Sequence, residues 1–169
     1  MSDEIGAVRP AYQMTPDVVA IVAVHGTELV LIREFRPAVG ERVLQVPMGK
    51  IPAGIDPREQ ALAELAEETG FEARNCEFVA CLFSAPGWMN QRMHVFLATD
   101  LIELAERPPG DPDEVDIEVV PLPIASLAEA MAGGVLRDAR SIAALTVALG
   151  AYGVTTTPWK VTTRWPSEA

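Results

Sequence analysis

A single, sharply punctuated helix set between strand-like runs is the feature that most constrains this chain. Asp56 is a strong N-cap, Pro57 suits the first helical position, and Glu59 follows three residues after the cap. Gly70 stands where a left-handed residue ends a helix. Between them Ala61, Leu62, Leu65 and Thr69 form a mostly apolar stripe, the face that would pack on a sheet. Glu64, Glu67 and Glu68 stand at i, i+3 and i+4, so their carboxylates share another face. Three crowded anions repel unless water or a cation screens them. Hard cations such as Mg2+ take carboxylate oxygens, water and phosphates. From the helix alone, a merely solvated acidic face is the plainer alternative.

The runs around this helix read as strands. Asp17–Val24 and Glu28–Phe35 are Val/Ile-rich and are joined by His25-Gly26-Thr27, a hairpin signature. Pro37 and Gly40 break the chain before a short run, Arg42–Pro47. Met48 to Asp56 reads as a loop with Gly49, Pro52 and Gly54. After the helix, 76–84 and 91–101 are strand-like, then an acidic, proline-rich loop leads to 117–123. Two helical stretches close the pattern, 124–134 and 138–150, the second with Asp138 as N-cap and Gly150 as stop. Strands that precede, flank and follow one central helix predict an α/β fold with helices covering a mixed sheet.

Length and charge narrow the class. A chain of 169 residues, nearly half of them apolar, fits one domain over 1–169 with its core at about 17–150. The flanks read as a short N-terminal arm and a C-terminal tail. A net charge of −11 speaks against nucleic-acid binding, which needs a basic stripe, and against anionic membranes. Nothing at the start reads as a signal peptide, and no run of about 18 apolar residues could span a bilayer. Cys76 and Cys81 lie an odd number of residues apart on one strand, which would turn them to opposite faces and leave them reduced. A cytoplasmic protein is expected.

Residues Gly49–Phe71 resemble the Nudix box: Gly, five residues, Glu, seven residues, Arg-Glu, an aliphatic residue, any residue, Glu-Glu, any residue, Gly, and an aliphatic or aromatic residue. Gly49, Glu64, Leu65, Glu67, Glu68, Gly70 and Phe71 match in register. The resemblance implies a Nudix fold, an α/β/α sandwich, in which loop and helix present Mg2+ or Mn2+ to a diphosphate. It implies Glu64 and Glu68 as the most direct ligands and catalytic residues, Glu67 as an assisting ligand, and the Met48 carbonyl as a fourth. Two positions depart from the box. Ile55 replaces its early Glu and Ala63 its Arg, so the usual charged brace is absent and an apolar contact would have to take its place.

Segments outside the box, within Val18–Leu149, resemble ADP-ribose pyrophosphatases and related nucleotide-sugar hydrolases. Pro86 lies sixteen residues past Gly70, a spacing associated with that group. A general base is expected in the acidic loop, at Asp113 or Glu114. Arg33, Arg36, Gly49, Pro86, Trp88 and Gln91 are the expected substrate contacts. Arginine suits bidentate phosphate contacts, and Trp88 could stack on a base. Surface or packing roles stay open for Arg33, Arg36 and Trp88, and His94 reads as structural. Gln91 stands where many relatives carry Glu, and an amide cannot replace a carboxylate toward a metal or a proton. The implied activity is hydrolysis of a nucleoside diphosphate linked to another group, with ADP-ribose the leading candidate, by a homodimer. The competing reading is a Nudix-fold nucleotide-binding or regulatory protein, favoured by Ile55, Ala63 and Gln91. The carboxylate trio favours the enzyme.

Overall fold

An apolar run buried on both faces must lie inside a sheet covered on both sides. In the computed structural model, which describes residues 13–110, 116–151 and 153, that run is β1, Val18–His25. Val19, Ile21 and Ala23 join one core cluster, and Val18, Ala20, Val22 and Val24 join the other. β1 pairs antiparallel with β2 (Glu28–Arg36) through a two-residue turn, where Gly26 adopts φ 63°. Its other edge pairs parallel with β6 (Arg92–Glu103). β3 (Glu41–Gln45) and β7 (Glu118–Pro123) pair with β2, and β5 (Phe71–Phe83) pairs with β6. The sheet is therefore mixed, with β5 at one edge.

Helices close both faces. α1 (Pro57–Thr69) lays Ala61 and Leu65 on Val19, Ile21, Phe96 and Ala98. A 3-10 turn, Ile124–Ser126, leads to α2 (Leu127–Ala132), which with α3 (Ala139–Ala151) covers the opposite face. Leu127, Ala144, Leu145, Ala148 and Leu149 are the buried contacts there. The result is a mixed sheet covered by helices, as the order of elements predicts, and the α/β/α sandwich that the resemblance implies. Among the described residues no helix is long and apolar enough to cross a membrane.

Four local expectations are corrected. The stretch read wholly as a loop begins with a strand, β4 (Met48–Lys50), which pairs with the start of β1. The strand after the helix begins at Phe71 rather than Cys76. Gly150 does not stop α3, which runs on to Ala151. The cysteines do not face opposite ways. A bulge between Phe78 and Ala80 adds one residue to β5, so Cys76 pairs with Ala98 and Cys81 with His94, positions on the same face of β6. Cys76 is buried, Cys81 is exposed, and both are free. Burial pushes the Cys76 thiol up, with the Arg58 charge a smaller opposing effect.

Candidate active site

The site begins with the capping of α1. Asp56 accepts hydrogen bonds from the backbone N–H of Arg58 at 2.9 Å and Glu59 at 3.3 Å. At the other end Gly70 adopts φ 76° and donates to the Ala66 carbonyl. Arg58 Nε donates to the Cys76 carbonyl on β5 at 2.9 Å, and Arg107 Nε donates to the Glu67 carbonyl. With both ends fixed, the helix turns its acidic face toward β4. Ile55 is 43% exposed.

Two of the three glutamates are buried. Glu64 is 6% exposed and Glu68 is 1% exposed. Glu68 Oε2 accepts from the Met48 N–H at 2.8 Å, and Glu64 Oε1 accepts from Gln60 Nε2 at 2.8 Å. Gly49 makes room for this. A Cβ on Gly49 would stand 1.6 Å from Glu64 Oε1. The glycine is thus required by a carboxylate pressed onto β4, while its backbone is ordinary strand.

Glu64, Glu67 and Gln60 form one wall of a cleft of about 620 Å³. Lys50, Ile51, Pro52 and Ala53 form a second wall, and Pro16 closes a third side. Among the described residues, no three His, Cys, Asp or Glu side chains converge as a ready metal-binding group. Glu68 lies behind the cleft against Met48 rather than along its lining. The four ligands that the resemblance implies, Glu64, Glu67, Glu68 and the Met48 carbonyl, are all oxygen donors, the kind a hard divalent cation takes.

The Pro16 side is held by contacts from residues 91 and 92 and from Ile51. Gln91 Nε2 donates to the Pro16 carbonyl at 3.0 Å, and the Asp17 carbonyl accepts from the Ile51 N–H at 2.8 Å. Asp17 also accepts from the Arg92 N–H and from Arg92 Nε, both at 3.0 Å, and lies 3.5 Å from His94 Nε2. Burial pushes the Asp17 carboxyl up. The bonds and charge of Arg92 and the His94 contact outweigh that effect and leave its pKa lowered. His94 therefore has a local structural partner.

The other expected contacts lie elsewhere. Arg33 is paired with Glu118 at 3.1 Å, and Arg36 with Glu34 at 2.9 Å and Gln45 at 3.2 Å. Neither lines the glutamate cleft. Arg36 borders a different one, of about 290 Å³, with Arg42, Arg137 and Arg140. Trp88 is 62% exposed, and its indole N–H donates to Gln13 Oε1 at 3.3 Å. Pro86 sits in the turn that the Trp88 and Met89 N–H groups close onto Ala85. Neither Pro86 nor Trp88 lines the glutamate cleft. Asp113 and Glu114 lie outside the described residues. Sequence reasoning missed Gln60, Pro16, Lys50 and Ile51. Only Gln60, four residues before Glu64 on the helix, carried a local signal.

The sequence profile of the NUDIX domain matches residues 14–144. The chain belongs to the NUDIX domain family. Its resemblance to ADP-ribose pyrophosphatases extends to curated relatives. It is 34% identical over 100 residues to an ADP-ribose pyrophosphatase of Bacillus subtilis, covering 59% of this chain and 54% of that one. It is 32% identical over 152 residues to an ADP-ribose pyrophosphatase of Mycobacterium tuberculosis, covering 87% of this chain and 72% of that one. A crystal structure of an ADP compounds hydrolase superposes on this NUDIX domain with a TM-score of 0.71 at 30% identity, covering 86% of this chain and 77% of that one. The chain spans about half the length of the first curated relatives it matches.

Proposed function

We propose that this NUDIX protein is a divalent-cation-dependent hydrolase that cleaves the pyrophosphate bond of ADP-ribose, giving AMP and ribose 5-phosphate. The observation that carries this reading is the Glu64 carboxylate, buried against Gly49 at the wall of an open cleft with Gln60 fixing one oxygen. Burying carboxylates costs stability unless they are bonded or serve a charge they must meet. The two relatives named as ADP-ribose pyrophosphatases and the ADP compounds hydrolase structure support the substrate class.

Glu64, Glu67, Glu68 and the Met48 carbonyl would hold Mg2+ or Mn2+, which, when bound, neutralises charge on the diphosphate oxygens. The chain's own groups supply position. Gln60 holds Glu64, the Met48 N–H holds Glu68, and Ile51, Pro52 and Ala53 supply an apolar wall. Asp113 or Glu114 is assigned the proton-accepting role toward the attacking water. We also assign the protein to the cytoplasm, where its two free cysteines would stay reduced, and to a homodimer.

Release of AMP from ADP-ribose, measured with Mg2+ and with Mn2+ beside other nucleoside diphosphate sugars, tests the reading. Metal-dependent AMP release is the expected result. Nucleotide binding with no product from any substrate would overturn it in favour of a regulatory role.

A further inference from the structure

Gln91 can decide the shape of the cleft without touching what binds there. Gln91 is 9% exposed, and its side-chain amide nitrogen donates to the Pro16 carbonyl across 75 residues of chain. Pro16 lines the cleft, and the next residue, Asp17, holds the cleft-lining Ile51 through its carbonyl. Two lining residues from separate parts of the chain therefore hang on one short stretch, 16–17. Gln91, just before β6, and Arg92, its first residue, grip that stretch.

We propose that Gln91 is a positioning residue. Its N–H to the Pro16 carbonyl sets the Pro16–Ile51 wall, and hence substrate fit, rather than contacting substrate. This rests on the hydrolase reading and adds a role for a side chain that the family resemblance would have placed against the substrate. The chemistry is specific to a donor. An ionised carboxylate at position 91 can only accept, and would set an anion against a carbonyl oxygen in a buried spot. A protonated carboxyl can donate there. Glutamate has nearly the same shape as glutamine, so Gln91→Glu turns a permanent brace into one that needs a proton, with little change in packing.

The charged groups around this wall are Asp17 just before β1, Arg92 and His94 on β6, Lys50 on β4, and Glu64 and Glu67 on α1. All are common to variant and wild type, so the variant-to-wild-type ratio at each pH isolates position 91. The test is steady-state hydrolysis of ADP-ribose with Mg2+ from mildly acidic to alkaline pH. At alkaline pH, Gln91→Glu should raise KM roughly tenfold, the scale for a buried acceptor that loses its donor, with kcat nearly unchanged. The KM ratio should fall back toward one as pH falls through the introduced carboxyl's pKa, which burial raises. Gln91→Leu lacks the donor at every pH, so its KM ratio should be raised and flat. A pH-independent ratio for Gln91→Glu, or a loss confined to kcat in both variants, would overturn the inference. Should the wild type turn over no ADP compound, the hydrolase reading fails separately. The brace is then read from ADP binding by calorimetry, where the same pH-dependent ratio in Kd supports it and a flat ratio refutes it.

Discussion

Replacing Gly49 with alanine separates the site from the scaffold. Gly49 has no positive φ, so its backbone accepts alanine without strain, and it pairs with Val19 in the sheet. The conflict falls on one side chain. The new Cβ would stand 1.6 Å from Glu64 Oε1 and 1.9 Å from Cδ, where ordinary contact begins at 3.4 Å. The Glu64 carboxylate must therefore retreat by about 1.8 Å, abandoning its bond from Gln60. A displacement of about 1 Å at a reacting centre costs about a hundredfold in rate. We expect kcat/KM for ADP-ribose to fall at least roughly hundredfold, about 2.7 kcal/mol of transition-state stabilisation. The carboxylate is at the flexible end of its side chain, so the thermal midpoint should move by no more than about 4 °C. Product release by chromatography and melting by circular dichroism read the two effects on one preparation. Full activity in Gly49→Ala would refute the claim that Glu64 acts from its place against β4.

Three further outcomes are expected. Asp56→Ala removes the acceptor for two N–H groups of α1 and should cost about 1 kcal/mol, lowering Tm by about 2–4 °C. Because the folded-state pKa of Asp17 is lowered, its stabilisation is full above its unfolded pKa and disappears as pH falls through the folded value. Melting curves in acid should therefore fall more steeply for the wild type than for Asp17→Asn, and equal slopes would deny Asp17 that role. Cys81 should react with a thiol reagent in the native protein, while Cys76 should react only on unfolding; simultaneous labelling would contradict their placement.

Much of the fold is legible in the chain because its signals are local. Asp56, Pro57 and Gly70 mark α1, Gly26 marks the first hairpin, and Val18–Val24 marks a strand with two dry faces. What is not legible depends on partners far along the chain. β4 has only three residues, and its pairing is supplied by β1, about thirty positions earlier. The bulge at Phe78/Ala80 is set by the fit of β5 to β6, and it reverses a parity argument that is sound for a regular strand. The glutamates' spacing tells that they share a face. It does not tell that Glu64 and Glu68 are buried, because the room for Glu64 comes from Gly49 and the bond to Glu68 from the Met48 N–H. Arg33 suits a phosphate by residue type, yet Glu118, 85 residues away, meets it instead. Gln91 looks like a weakened substrate contact until the Pro16 carbonyl beside it is seen.

Titration with Mn2+ followed by electron paramagnetic resonance, on the wild type and on Glu64→Gln and Glu68→Gln, bears most directly on the role given to the acidic face of α1. Mn2+ should bind the wild type and support AMP release from ADP-ribose, and each substitution should weaken binding and abolish release together. Undiminished hydrolysis in Glu68→Gln, or hydrolysis by the wild type in the presence of a chelator, would contradict it.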